Sequence, residues 1–432
     1  MEWSIYNHLY YSEKIKKHLL YSSLSNMLIE LDKDGYNEIL EIKKNPESID
    51  IKKSQYNFLL DGRFIVQSNA NEINKLMLTT FAQRFNPKSF SLTIAPTRFC
   101  NFCCPYCYEK DRVNKKMSKK VQEGIIDFVK KYDTVKFLNI VWYGGEPTLA
   151  IDVIKFLSTE LQKIVEHYNA FMVTNGFYLD RIIDTIDNLK ISGLQITLDG
   201  TRETHDQTRH LSNGKGTFDR ILTNVDTLLS KHNVNISIRM NINTNNSSQY
   251  ASLYKLLKER YRGKVHLYPA FVHDYGGGGC QTDTCYDDSY KKAVFLKSLF
   301  EKEGIYTKDL YPFRRSKGCM SQQQNAFLIG PEGELYKCWH HLGTKEKEVG
   351  NIFADKIITN YGLLSDMMIK GDAIFDNHCK SCVLFPSCNG GCSDNKNRGE
   401  NDCIPAKTML EDFLNIRHFL REKEANALEQ KI

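Results

Sequence analysis

The sequence predicts an α/β chain: a partial (β/α)6 barrel of the TIM type, preceded by a small α+β domain of winged-helix-like arrangement and followed by a loop-rich C-terminal domain. Three observations predict it. From Ser91 onward, short apolar runs alternate with helical patterns six times; the first 99 residues contain no cysteine; and seven of the 13 cysteines follow Gly304 in a stretch rich in loop residues.

The barrel strands read as "SLTIAPT", "FLNIVWYGG", "AFMVTNG", "LQITLDG", "ISIRMNI" and "VHLYPAFV", which are β-branched and apolar. Between them lie the helical patterns "KKVQEGIIDFVKKY", "AIDVIKFLSTELQKIVEHY", "DRIIDTIDNL", "GTFDRILTNVDTLLSKH" and "YASLYKLLKERY", and "YKKAVFLKSLFEKEG" follows the sixth strand. Such a succession implies parallel strands with right-handed crossovers. Active sites of these sheets lie at the carboxyl ends of the strands. A four-cysteine loop follows strand one, "GGEP" follows strand two and "TNG" ends strand three, so the unusual residues share one rim.

Residues 1–85 carry the helical patterns "KDGYNEILEIKK" and "ANEINKLMLTTFAQRF" between short apolar runs, enough for a domain with its own core. The barrel is expected over 88–304 and the last domain over 305–432. That last part holds a hairpin, "NAFLIGPEGELYKCWH", turning at "PEGE" with Cys338 on its second strand, and a closing helix in "AKTMLEDFLNIRHFLREKEANALEQKI".

Bulk properties narrow the setting. A length of 432 residues calls for two or three domains. The charge of +6 is spread over 58 basic and 52 acidic residues, so no footprint for nucleic acid is present. No apolar run approaches the roughly 18–20 residues of a membrane span, and "MEWSIYNHLYYSEK" is no signal peptide, which points to the cytoplasm and away from membranes. Dense cysteines in a reducing compartment indicate metal or redox chemistry; a secreted disulfide scaffold fails on both length and signal.

In "RFCNFCCPYCY", two abutting C-x2-C clips would suggest zinc, whereas Cys100, Cys104 and Cys107 read as C-x3-C-x2-C with Cys103 a bystander. Zinc would need the diverging side chains of adjacent Cys103 and Cys104 on one tetrahedral ion. Three thiolates can instead hold three corners of a cubane cluster and leave one iron open.

These residues resemble the radical S-adenosylmethionine (SAM) superfamily, and the resemblance runs over most of residues 91–410. It implies a 4Fe-4S cluster on Cys100, Cys104 and Cys107, with Tyr106 beside the adenine of SAM. Glu146 would accept the methionine amino group, and Gly144 and Gly145 would let the backbone approach it. Thr174, Asn175 and Thr197 would contact the ribose or sulfonium side, and Arg209 in "HDQTRH" would pair with the SAM carboxylate. The implied chemistry is reductive cleavage of SAM to a 5′-deoxyadenosyl radical that abstracts hydrogen from an unactivated C–H bond.

The later cysteines resemble the seven-cysteine pattern of the SPASM domain found on peptide-modifying members of that superfamily. The resemblance implies two auxiliary 4Fe-4S clusters, one on Cys379, Cys382, Cys388 and Cys403, the other on Cys319, Cys338 and Cys392. An eighth ligand is missing from the pattern. Cys280 and Cys285 in "GGGGCQTDTC" are the nearest thiols, with Cys285 taken as the ligand; a redox or hydrogen-donor pair, bland loop thiols, or a substrate thiolate on the open iron are the alternatives.

Sulfatase maturases carry an aspartate just after the cysteine matching Cys338, where this chain has Trp339, His340 and His341. His340, Cys280 and Cys285 are therefore the catalytic candidates. The front domain is similar in size and position to leader-recognising modules of ribosomal-peptide maturases, which bind an extended segment at a sheet edge. The expected activity is crosslinking of a ribosomally made precursor peptide, first as a Cys thioether. A carbon-carbon or carbon-oxygen crosslink, sulfatase-type oxidation, and a non-enzymatic metal-binding or electron-carrier scaffold are the alternatives. A flavodoxin or ferredoxin is the expected reductant.

The split of the first four cysteines is directly testable. Cys103→Ala should leave iron content unchanged, and Cys104→Ala should abolish 5′-deoxyadenosine formation, read by iron assay and chromatography of anaerobic protein.

Overall fold

The computed structural model describes residues 1–49, 56–109, 114–273, 284–286, 288–312, 318–400 and 403–429. It divides into two units. One comprises Met1–Phe85, Asp288–Gln322 and Met367–Ile432, the other Asn86–Asp287 and Gln323–Asp366.

In the first unit, strand β1 (Glu2–Trp3) pairs antiparallel with β5 (Ile65–Val66), while β2 (Asn7–Ser12), β3 (Lys17–Ser22) and β4 (Met27–Leu31) form an antiparallel meander. The helix Lys33–Lys44 begins where the Asp32 carboxylate accepts from Gly35 N at 2.7 Å, an N-cap that fills one of the orphan donors of the first turn. Leu20, Leu31, Ile39, Ile42, Leu59, Phe64 and Ile65 make one core.

A second core corrects the expectation of a self-contained front domain. Tyr6, Leu24, Val66 and Leu76 pack with Ala373, Ile374 and Phe385, and Cys379 and Cys382 lie against them. The Tyr6 hydroxyl donates to Lys380 O at 2.9 Å. The front residues thus close their core with the C-terminal cysteine segment, because their own apolar surface is not exhausted by the first cluster. A buried ion pair of Arg84, at the end of the helix Asn69–Arg84, with Asp372 joins the same two stretches. The expected helices near the chain end are found at Ser289–Glu303 and Leu410–Glu429.

The second unit holds the barrel. Strands β6 (Ser89–Ile94), β7 (Phe137–Trp142), β8 (His167–Thr174), β9 (Ile191–Thr197), β10 (Asn235–Ile242) and β11 (Val265–Phe271) pair in sequence order, all parallel. The helices Lys119–Lys130, Ile151–Leu161, Phe218–Lys231 and Gln249–Tyr261 fill crossovers, so the partial (β/α)6 barrel is the architecture observed. The third crossover departs from expectation. "DRIIDTIDNL" forms 3-10 turns at Leu179–Arg181 and Ile183–Thr185, because the span is too short for a helix that also buries Ile182, Ile183 and Ile186.

The hairpin differs more. Strands β12 (Ala326–Ile329), β13 (Glu334–Tyr336) and β14 (Gly350–Asn351) extend the barrel sheet, β12 pairing parallel with β6, to give the order β11-β10-β9-β8-β7-β6-β12-β13-β14. Residues 323–366 therefore pack with the barrel and not with the last domain, since main-chain hydrogen bonds to the free edge of β6 recruit them. Cys338 lies beyond β13, at the start of the 3-10 turn Trp339–His341. No helix among the described residues is long and apolar enough to cross a membrane.

Removing one partner of the Arg84–Asp372 pair strands a buried charge. Arg84→Ala should lower stability by about 3–5 kcal/mol in denaturant unfolding, with circular dichroism as the readout.

Candidate active site

The cysteine loop leaves β6 and folds back over the ends of β7 and β8. Gly145 N donates to Thr97 O at 3.1 Å and Glu146 N to Phe99 O at 2.9 Å. Cys103 N donates to His210 O at 3.0 Å, beside a β-bridge between Phe102 and Leu211. Phe102 is buried, edge-on to Phe177 at 6.0 Å, and plugs the inside of the loop.

The two glycines also answer a constraint within the protein. A Cβ on Gly145 would stand 2.3 Å from Phe99 O and 2.4 Å from Arg98 O, and one on Gly144, at φ +108°, would stand 2.5 Å from Thr97 O. They permit the close approach of the cysteine loop as well as lining the chamber it encloses.

Glu146 is held by the protein on both carboxylate oxygens. Its carboxylate is fully buried and accepts four hydrogen bonds: from Thr148 N at 3.0 Å, Thr148 Oγ1 at 2.6 Å, Thr174 Oγ1 at 2.7 Å and Asn175 N at 2.7 Å. Three of these donors converge on Oε1 and one reaches Oε2, so Oε2 keeps capacity for a further donor. Burial raises its pKa, and the four donors oppose that rise. Glu146 is a tie between the ends of β7 and β8 and does not line the chamber.

The chamber has a volume of about 220 Å3 and is lined by Cys100, Cys104, Cys107 and Tyr106 from the loop, Gly144 and Gly145, Thr174 and Asn175 from the end of β8, Thr197 from β9, and Arg209. Cys103 is not in this wall. The Asn175 side chain donates to Asn101 Oδ1 at 2.8 Å, which holds the loop to the β8 end. Burial, and after it Glu146, pushes the Cys100 thiol up to about 12, so a thiolate here requires a positive partner such as iron.

Arg209 is engaged within the protein. Its Nη1 donates to the Tyr106 hydroxyl at 2.7 Å; that hydroxyl donates to Asp199 and also receives Asn241 Nδ2 at 3.2 Å. Burial raises the Tyr106 and Asp199 pKa values. For Arg209, burial opposes the charge, and Cys104, Tyr106 and Asp199 more than offset that, holding its pKa well above the usual value. The expected pairing of Arg209 with a SAM carboxylate is thus met by a competing carboxylate, Asp199, already in place.

Several chamber residues escaped the sequence reading: Tyr143, Gln195, Arg239, Asn241, Phe271 and His273. A signal existed for two of them. In "ISIRMNI" the buried Ile236, Ile238, Met240 and Ile242 alternate with Ser237, Arg239 and Asn241, which puts the polar set on the other face of β10. Trp339 and His340 reach the chamber from the 3-10 turn. Trp339 donates to Thr93 Oγ1 at 3.0 Å and lies 4.6 Å from the Tyr143 ring; His340 lies 4.5 Å from the Tyr108 ring.

In the other unit, Cys379, Cys382, Cys388 and Cys403 line one cavity of about 180 Å3, together with His378, Lys396 and Lys407. Cys392 is outside that wall; burial chiefly raises its pKa, and Cys319 adds to the rise, which places these two thiols in each other's field. Cys338 belongs to the barrel unit. Cys285 is disulfide-bonded and buried, a correction to its assignment as a ligand, since a sulfur in that state has no thiolate to offer iron. Cys280 lies outside the described residues.

The family model of the Radical SAM superfamily matches residues 94–257. The barrel therefore carries a radical SAM domain. The radical SAM domain takes a 4Fe-4S cluster and SAM, and three sulfurs in the wall of one chamber fit that cluster. The matched domain and the sulfatase-maturase relatives indicate a radical SAM enzyme that modifies a substrate. The chain is 26% identical over 369 residues to a cysteine-type anaerobic sulfatase-maturating enzyme of Clostridium novyi, covering 76% of this chain and 95% of that protein. Its fold is similar to that of anSMEcpe with bound AdoMet, at a TM-score of 0.60 and 20% identity over 78% of this chain and 99% of the other. Streptococcus suis SuiB bound to the precursor peptide SuiA shares the fold at a TM-score of 0.52 and 14% identity, over 94% of this chain and 98% of the other.

The glycine contacts carry a prediction. Gly145→Ala should push the cysteine loop outward and reduce SAM cleavage about 100-fold, since misplacements of order 1 Å have that effect on rate; the yield of 5′-deoxyadenosine measures it.

Proposed function

We propose that this radical SAM enzyme matures a ribosomally made precursor peptide by installing a crosslink, with a thioether from a substrate cysteine as the first product considered. The observation that carries the reading is the extent of the likeness to SuiB, whose fold spans 94% of this chain against 78% for anSMEcpe. The front unit adds support: β2 and β4 are each paired on one side only among the described residues, which leaves sheet edges for an extended leader segment.

Bound in the chamber, the cluster and SAM supply a radical that takes a hydrogen atom from the peptide. Cys100, Cys104 and Cys107 would hold the cluster. Gly144, Gly145, Thr174, Asn175 and Thr197 would contact SAM, with Tyr106 on its adenine side. Glu146 ties the ends of β7 and β8 through Thr148, Thr174 and Asn175, and its Oε2, which accepts from Asn175 N alone, would accept the methionine amino group of SAM. Trp339, tilted against the Tyr143 ring, shapes the substrate side of the chamber, where His340 is the candidate to accept a proton.

Two further 4Fe-4S clusters complete the reading. Cys379, Cys382, Cys388 and Cys403 hold one, supported by their shared cavity, and Cys319, Cys338 and Cys392 serve the other on the sequence pattern. The disulfide at Cys285 favours a substrate thiolate as the eighth ligand. The reaction takes place in the cytoplasm with a flavodoxin or ferredoxin as reductant. A sulfatase-type oxidation is the second reading, favoured by the similarity to the Clostridium novyi maturase.

Co-expression with a short cysteine-containing precursor peptide, followed by mass spectrometry and thiol alkylation, decides among these. A product lighter by two hydrogens that no longer alkylates is the thioether expected. The same mass loss with a reactive thiol would mean a carbon-carbon or carbon-oxygen bond, and an unmodified precursor alongside an oxidised sulfatase peptide would favour the second reading.

A further inference from the structure

The cavity lined by Cys379, Cys382, Cys388 and Cys403 has two lysines at its sulfurs. Asp376 caps the short helix Asn377–Lys380: its Oδ1 accepts from His378 N at 2.9 Å and Cys379 N at 3.3 Å. The other carboxylate oxygen lies 3.3 Å from Cys379 Sγ. A sulfur that ligates iron has no proton to donate, so this contact becomes one between like charges.

Lys396 stands between them. It comes from the helix Ser393–Asn397, and its Nζ is 2.8 Å from Asp376 Oδ2 and 3.1 Å from Cys379 Sγ, with the side chain only 14% exposed. Lys407 reaches a second ligand, its Nζ lying 3.4 Å from Cys403 Sγ, but this side chain is exposed. A lysine that served Asp376 alone would not need to touch the sulfur as well. Nor would a purely structural ion pair explain a second ammonium at a second cysteine of the same cavity.

We infer that Lys396, assisted by Lys407, raises the reduction potential of the iron-sulfur cluster held by Cys379, Cys382, Cys388 and Cys403. This rests on the reading of that cavity as a cluster site. Reduction adds one electron to the cluster and its sulfurs, with no bond made or broken, and an N–H donor on a ligand sulfur stabilises the added charge. Hydrogen bonds to charged groups are stronger than those between neutral ones. The half-buried Lys396 contributes most of the effect, because solvent and salt screen Lys407. Lys396 also cancels Asp376, whose charge would act in the opposite direction.

The test is a redox titration followed by electron paramagnetic resonance on the full-length, anaerobically reconstituted chain, with iron counted in every variant. The signal to follow is the one that Cys382→Ala abolishes together with about four iron atoms. In Lys396→Met the oxidised-to-reduced ratio at the wild-type midpoint should rise about tenfold, which is a 59 mV fall for a one-electron couple. Lys407→Met should move it the same way by less, Lys396→Arg should stay near wild type, and adding Asp376→Asn to Lys396→Met should recover part of the shift, since asparagine still caps the helix.

An unmoved midpoint in Lys396→Met with full iron overturns the inference. Should Lys396→Met lose its iron, Lys407→Met decides, and an unmoved midpoint there has the same consequence. If Cys382→Ala removes neither iron nor a signal, the cluster reading itself fails and takes the inference with it; the two failures are distinguished by the iron count.

Discussion

The site depends on one buried carboxylate. Glu146 sits at zero exposure with its carboxylate accepting from Thr148, Thr174 and Asn175, while its own backbone N–H holds Phe99 of the cysteine loop. An ionised group in that position is tolerated only because donors surround it. The same donors are what draw the ends of β7 and β8 together under the loop. The two preceding glycines exist in this geometry because any Cβ would strike loop carbonyls.

A second buried network sets the opposite wall. Tyr106, Asp199, Arg209 and Asn241 are joined by hydrogen bonds, so the loop tyrosine is anchored to strands four and five of the barrel. His205 extends this network: it accepts from Asp199 N at 3.3 Å, its other ring nitrogen is 3.0 Å from Thr217 Oγ1, and burial holds its pKa well below the usual value, which keeps it neutral. The chamber is therefore rigid on two sides by internal polar pairing. A further wall, with Trp339 and His340, comes from a segment attached to the sheet through β12.

Much of this was legible in the chain. The strand-helix period located all six barrel strands, and rim placement of "RFCNFCCPYCY", "GGEP" and "TNG" assembled the chamber that the structure displays. Arg239 and Asn241 were legible in principle through the alternation in β10. What the residues could not reveal was internal engagement: Glu146 accepts from Thr148, Thr174 and Asn175, and Arg209 donates to Tyr106 beside Asp199.

Sequence alone determined the parallel barrel, the three-to-one division of the first cysteines as an expectation, and the radical SAM resemblance, because these follow from local periodicity and spacing. Tertiary structure decided where long-range partners compete. The hairpin 323–366 joins the barrel sheet because β6 had a free edge; the front residues share a core with Ala373, Ile374 and Phe385; and Cys285 is withdrawn into a disulfide. Each of those outcomes is set by which distant group arrives within hydrogen-bonding, packing or bonding distance, and no window of sequence contains that information.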